Sequence, residues 1–404
     1  MRKGWFFCLV LPVILWALCC DTGEMGDDLG GIAPLSFTTP RKIYSSIPPG
    51  EGEEWSQYLD PHLAVGTGGN LYLVLNKKGS GGTQPGRIVF GQSGDQGENW
   101  HGLRDISPGY DAAIALHHSG RVHVVYPQCC PWALFHVQSA DDGENWGPPT
   151  RITEPGINAD CLDPVMFVDG TGDIHVAWNQ RTLPDGNWEI HYNRSRDHGN
   201  TWFTLPVKIS FAFNQDCTDP TLVSDGNGGI YLAYSQVQVY FCTSQNYGNN
   251  WSAPEDIHPE ETQTETPQMS GYGTSSLDLV WVRNRHWSKT SDIIFTRSPE
   301  QGRNWTGTLN ISDTPGRLSE RPVTVAGDNG YIYVAWMEQI GENWEIFLLH
   351  SADEGKNWSD AVNVSNTAGN SSVPTIGIDA DGTVYLVWDE ETAGRHDIYF
   401  ARSR

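Results

Sequence analysis

The string SADDGENW at 139–146 returns as SADEGKNW at 351–358, and four relatives lie between and before them. These are SGDQGENW from Ser93, SRDHGNTW from Ser195, SQNYGNNW from Ser244 and SPEQGRNW from Ser298. Their tryptophans, Trp100, Trp146, Trp202, Trp251, Trp305 and Trp358, recur about every 50 residues. Such a chain is a series of copies of one small unit. A unit of that length cannot bury its own apolar face, so the copies must stack on one another.

Around each octapeptide the same grammar repeats. In the third copy DPVMFV reads as a strand, DGTG as a turn and DIHVAW as a second strand. The loop NQRTLPDGNW, a third strand EIHYNRS, the octapeptide and a short strand PVKIS follow. Alternating apolar residues bounded by Gly, Asp and Asn support each assignment. Within the octapeptide, the Asp carboxylate can accept backbone N–H groups, Gly permits a positive φ, and Trp can plug the gap between units. Asp95, Asp141, Asp197 and Asp353 are therefore scaffold, with Asn246 and Glu300 replacing the Asp in two copies.

The pattern S-x-D-x-G-x-x-W is that of the Asp-box, or BNR, repeat, and the chain resembles the sialidase-type β-propellers along nearly all of its length after the N-terminal segment. A strict register supports this. Eleven residues separate the start of the first strand from a fixed apolar position in the second: Asp60 to Leu71, Asp111 to Val122, Asp163 to Ile174, Asp219 to Ile230, Thr266 to Leu277, Arg321 to Ile332 and Val373 to Val384. That makes seven units for six boxes. The last unit stops at DIYFARSR, and TPRKIYSS at 39–46 resembles the missing fourth strand. The expected fold is all-β: a seven-bladed β-propeller closed by an N-terminal strand, which removes exposed edges. A six-bladed propeller, as in the catalytic domain of sialidases, is the alternative.

Four antiparallel strands put the boxes and the short Asp/Gly turns on one face and the variable loops on the other, where function is expected. His123 and His175 share a register position with Tyr72, Tyr231, Tyr333 and Tyr385, so they are read as blade filling. His117 and His118 fall on the scaffold face. Arg194, Arg297 and Arg402 precede the box Ser in register and are read as structural.

The residues that open the innermost strands should ring the mouth of the central channel. Four are consecutive carboxylates, Asp60, Asp111, Asp163 and Asp219, with Arg321 across the ring. Crowded carboxylates raise one another's pKa, and can act as general acids or hold a cation. Ca²⁺ takes such oxygen ligands, but no EF-hand-like loop is present, so no cofactor is expected. A second ring, just past the second-strand aromatic, holds Lys77, Gln128, Gln180, Gln236, Arg283, Glu338 and Glu390. Arg181, Arg283, Arg285 and Arg321 can form a guanidinium fork for a carboxylate or sulfate; rim salt bridges are the plainer reading. The candidate catalytic residues are Asp60, Glu320 and Tyr126. The candidate ligand-binding residues are Arg181, Arg283, Arg285, Arg321, Asp111, Asp163, Asp219 and Glu338. Trp55, Trp132, Trp188 and Trp287 suit stacking on sugars or packing of loops, and His286 and His396 are further candidate bases. Cys129, Cys130, Cys161 and Cys217 cluster on the variable face and are expected to form two disulfides; free thiols or a metal site are the alternatives.

The N-terminus MRKGWFFCLVLPVILWALCC pairs a basic start with an apolar run, the form of an export signal, and WALCC resembles a bacterial lipobox. Residues 1–20 are read as this signal, 21–38 as an acidic Gly-rich tether and 39–404 as the propeller. The expected location is exported: periplasmic, outer surface or extracellular, with a membrane contact only through a lipid anchor. A net charge of -24 argues against a nucleic-acid partner, which needs a basic footprint.

The resemblance implies a glycosidase that binds its anionic sugar with an arginine triad and attacks with a Tyr paired to a Glu. The early Arg motif of that family has no counterpart on the inner strands; RKIYS falls on an outer strand. The readings carried forward are a glycan-active enzyme, hydrolase or lyase, and a non-catalytic glycan- or protein-binding or assembly propeller. The expected partner is a glycan or cell-surface ligand, and the expected state is a monomer.

Overall fold

The structure, a computed structural model, describes residues 32–46, 56–79, 86–129, 132–156, 159–184, 186–211, 215–260, 263–272, 276–285, 290–327 and 330–404. The export signal and most of the tether therefore lie outside the described residues. Among the described residues the chain forms seven four-stranded antiparallel sheets. Blades 1 to 6 span 56–108, 113–151, 159–208, 218–256, 264–310 and 319–363. Blade 3 is typical: Ala159–Val168, Ile174–Thr182, Trp188–Ser195 and the short outer strand Val207–Lys208 follow in order. The first strands of successive blades pack side by side, and that of blade 7 packs against that of blade 1. This is the seven-bladed ring that the register requires.

Blade 7 takes Asn370–Ile378, Val384–Thr392 and Arg395–Arg402 from the C-terminus and its outer strand, Arg41–Tyr44, from the N-terminus. Arg41 lies opposite Phe400 and Lys42 opposite Tyr399. The attachment starts before residue 39, the expected boundary. Phe37 bridges Ser403, and Leu35 and Phe37 pack against the blade 6–7 core.

The boxes join one blade to the one before it. Ser93 donates to Asp95, whose carboxylate accepts the backbone N–H of Asn99 at 2.8 Å. Two successive positive φ angles, Gln96 at 57° and Gly97 at 80°, turn the chain. Trp146 then meets Phe90 of blade 1 edge-on at 5.2 Å, and Trp251, Trp305 and Trp358 meet Tyr192, Phe241 and Phe295 in the same way. Blade 7 has no box, and the matching position on blade 6 is Leu348 rather than an aromatic residue. Leu35 and Phe37 pack there instead.

The core consists of seams between blades. His123 and His175 are fully buried, as blade filling demands. Arg194 is buried under Phe203 and donates to Asn249, Arg297 pairs with Asp278 at 2.8 Å, and Arg402 reaches Glu98 at 2.8 Å. These arginines are structural. The expected disulfides are not formed at Cys161 and Cys217. Cys161 lies in the seam between blades 2 and 3, whereas Cys217 and Cys242 lie in the next one, and all three are thiols. Burial pushes the thiols of Cys161 and Cys217 up to about 12 and about 11, so they behave as small apolar residues. Cys130 lies outside the described residues.

Candidate functional site

Six of the seven innermost strands break their pairing register once, near their start; that of blade 2 begins after the corresponding position. The breaks fall between Leu59 and His62, Leu162 and Val165, Thr218 and Thr221, Glu265 and Gln268, Glu320 and Val323, and Ser372 and Thr375. The residue at each break is left-handed: φ is 49° at Asp60, 49° at Asp163, 53° at Asp219, 48° at Thr266, 49° at Arg321 and 50° at Val373. Asp111, just before the first strand of blade 2, has φ 44°. Asp tolerates this region better than most residues, which accounts for four carboxylates in one register. Val373 and Thr266 are β-branched and adopt it regardless, so the repeat itself imposes the bulge, at a cost of about 1–3 kcal/mol each. Only the X-Pro steps hinted at it: Pro61, Pro164, Pro220, Pro267, Pro322 and Pro374 follow the bulged residue.

All seven left-handed residues line one cavity of about 390 Å³ on the ring axis. Its mouth is polar, and deeper it is lined by Leu63, Ile114, Val165, Leu222, Met269 and Ile376. On one side of the mouth Asp111 and Asp163 are held together. The backbone N–H of Asp163 donates to Asp111 Oδ2 at 3.2 Å, and the two carboxyl groups hydrogen-bond each other. Asn179 Nδ2 donates to Asp163 at 2.6 Å, and Asn76 Nδ2 to Asp60 at 3.0 Å. Enclosure in the channel, and then the Asp111 charge, push Asp163 up to about 7 although its side chain is open to the channel; Asp111 and Asp219 are raised too, mainly by enclosure. Both carboxyls of the pair are thus raised above the ordinary carboxylate range, so that the pair shares a proton.

Arg321 is exposed to the channel and sits within electrostatic reach of Asp111, Asp163 and Asp219, but it forms an ion pair with none of them. Beside it Glu320 is half-buried, its carboxyl raised by burial and then by Glu265. On the blade 7 side, His396 Nδ1 donates to Asp389 at 2.9 Å; this contact raises the imidazole, with Asp60 adding to the effect. His62 lines the channel, and burial lowers it. Among the described residues no group of three or more His, Cys, Asp or Glu is arranged to hold a metal ion.

The structure thus brings together Asp60, Asp111, Asp163, Asp219 and Arg321 on one cavity, places Glu320 beside Arg321 but not on the cavity wall, and separates the rest. Tyr126 is fully buried in the blade 1–2 core, its hydroxyl hydrogen-bonded to Ser107 at 2.6 Å, so it does not reach the channel. The second ring points into the seams. Glu338 is fully buried and accepts from Arg317 at 2.6 Å, Trp336 at 3.0 Å and Thr314 at 3.2 Å, and Glu390 likewise accepts from Ser371 and Trp388. The guanidinium fork is not assembled. Arg181 pairs with Asp160 at 2.6 Å and lies over Trp188, and Arg283 faces Asp292 on the neighbouring strand of blade 5. Arg285 ends the strand Ser276–Arg285, and its side chain lies outside the described residues, as do Trp55, Trp287 and His286. Trp132 packs on Tyr110, next to Asp111, at 5.9 Å. Sequence reasoning passed over Asn76, Asn179 and Asp389. They share one register position, a residue before the second ring, and that is the position that reaches the mouth.

Seven blades around one polar mouth define a seven-bladed β-propeller and exclude the six-bladed alternative. Residues 111–334, more than half of the chain, match the BNR repeat-like domain, and the chain belongs to that family. Among solved structures it is similar to an ulvan lyase, a polysaccharide lyase (TM-score 0.60, 12% identity, 89% of this chain and 95% of that chain). It is also similar to a Hadza microbial sialidase (0.52, 16%, 81% and 73%). A third is YCF48 in complex with a D1 peptide (0.53, 16%, 92% and 97%). At such identities the likeness is one of fold. No curated protein matches.

Proposed function

We propose that the protein is an exported, carbohydrate-active propeller that takes an anionic glycan at the channel mouth. The carrying observation is the hydrogen-bonded Asp111–Asp163 pair lining one cavity with Arg321, which forms an ion pair with none of the described carboxylates. Arg321 takes the carboxylate or sulfate of the sugar. Asp163, held protonated beside Asp111, gives its proton to the glycosidic oxygen as the C–O bond breaks, and the nearby Arg321 charge and the Asn179 amide favour the carboxylate left behind. Water adds to the anomeric carbon and passes its proton to Nε2 of His396, whose Nδ1–H is held by Asp389. The sialidase and ulvan lyase among the similar structures support a glycan as the ligand class. The basic, then apolar, N-terminal string supports export.

The second reading is a binding module, and the Tyr110–Trp132 pair beside Asp111 supports it, because it offers an aromatic surface near the mouth. One set of measurements separates the two: a hydrolysis and lyase screen on sialylated, sulfated and uronic-acid glycans, with binding by calorimetry. In the enzyme reading Asp163→Asn lowers kcat at least about 100-fold with binding kept, and Arg321→Ala raises KM. Binding without turnover on every glycan selects the module. Neither binding nor turnover removes the glycan reading.

A further inference from the structure

Five of the seven seams carry Phe or Tyr at the third-strand position that meets the next box: Phe90, Tyr192, Phe241, Phe295 and Phe400. The seam between blades 2 and 3 has His136 there, fully enclosed and edge-on to Trp202 at 5.4 Å. The same seam has His123 where the seam before it has Tyr72. Tyr72 donates to Asp142, the fourth residue of its box, and in the next box that position is His198. Three imidazoles thus replace a phenyl, a phenol and a carboxylate in one seam.

These rings are poorly placed to accept a proton. His123 Nδ1 and His136 Nε2 are 3.1 Å apart, and His136 also bonds the Gly199 backbone carbonyl. The network assigns the tautomers: His136 Nδ1–H donates to Gly199, so its Nε2 accepts from His123 Nδ1–H. A proton added to His136 Nε2 then points at another N–H. A proton added to His123 Nε2 is buried with no acceptor. The groups around the pair offer no relief. From blade 2 they are His117, His118 and Arg121; from blade 3, His198. The nearby blade 3 carboxylates are engaged, Asp197 by Ser195 and Thr201 and Asp173 by Arg196. Burial lowers both rings, His123 to about 3 and His136 to about 4.

The same two blades carry Asp111 and Asp163, joined at the mouth. We propose that the blade 2–3 seam is an acid-sensitive joint, in which protonation of His123 and His136 parts the two blades and separates Asp163 from Asp111. It stands apart from the glycan reading, because it concerns the integrity of the mouth and not what binds there.

The unfolded chain binds protons at these rings from about pH 6.5 downward and the folded chain does not, so stability falls as the pH drops from there towards 4. The test is urea unfolding of the full chain between pH 7.5 and 4.5, beside H123Y/H136F/H198D, which installs the residues of the blade 1–2 seam. The variant should lose proton uptake of about two per molecule on unfolding near pH 5. Equal pH slopes overturn the proposal. Hydrogen exchange on the unaltered protein makes the test independent of the variant's folding. At pH 5, faster exchange confined to 133–139 and 159–168 supports the joint, and acceleration spread evenly over all blades overturns it.

Discussion

A box glycine is constrained twice. Gly97 has φ +80°, and a Cβ on it would stand 2.3 Å from the Phe400 ring; Gly355 repeats this against Phe295 at 2.5 Å. Gly97→Ala therefore needs both a strained backbone and a displaced aromatic, and should destabilise the protein by about 2–4 kcal/mol in urea unfolding, against under about 1 kcal/mol at open Gly102. Asp163 acts in the opposite sense. Its folded carboxyl keeps a proton that the unfolded chain releases in the ordinary carboxylate range, so between there and about pH 7 the folded state binds more protons. Stability from this group is therefore lost as the pH rises through that window. Asp163→Asn should remove that loss and raise stability at pH 8 by about 1 kcal/mol, a small figure because the side chain is exposed to the channel. The check is a pair of melting curves at pH 5 and pH 8, and a variant no more stable at pH 8 would contradict the shared proton.

At the scale of elements, one box serves one seam. Trp358→Ala empties the contact with Phe295 between blades 5 and 6, and should cost about 3 kcal/mol in denaturant unfolding. The closing strand matters more. Arg41–Tyr44 pairs with Arg395–Arg402, and Leu35 and Phe37 pack in the seam that lacks a box. Deleting residues 1–46 leaves Arg395–Arg402 as an unpaired edge, and should yield lower melting temperatures and self-association in size-exclusion chromatography. A monodisperse truncated protein with unchanged melting would refute the closure. The bulge belongs to this scale as well. With the left-handed backbone that all seven blades share, it turns seven residues of differing chemistry onto one axis, so the four Asp are there partly because Asp tolerates the backbone.

At the scale of the whole molecule, one mouth gathers four carboxylates and Arg321 in a chain that is strongly acidic as a whole. With a net charge of -24, the long-range field repels an anionic ligand, and Arg321 attracts it only at close range. Association of an anionic glycan with the mouth should therefore quicken as salt rises from about 20 to 150 mM, where a basic binding surface would show slowing. Stopped-flow association rates would reveal the sign.

The sequence by itself determined the repeat, the blade count, the role of the boxes, the N-terminal closure and the axial ring from Asp60 to Val373. All of these follow from spacing, because a period of two within strands and of about 50 between units requires stacked blades and the register counts seven of them, with the structure excluding the six-bladed alternative. It also placed His123 and His175 inside. Only the tertiary structure decided which polar residues meet. Glu338 and Arg283 share a register yet face the seams, because the side chain that reaches the mouth is one residue earlier, where Asn76, Asn179 and Asp389 stand. Tyr126 and Arg181 were placed at the mouth for the same reason, whereas Tyr126 lies in the core and Arg181 in a rim salt bridge with Asp160. Strand register tells which residues alternate, but the direction of each face depends on the neighbouring blade, and contact between blades is not written in any one of them.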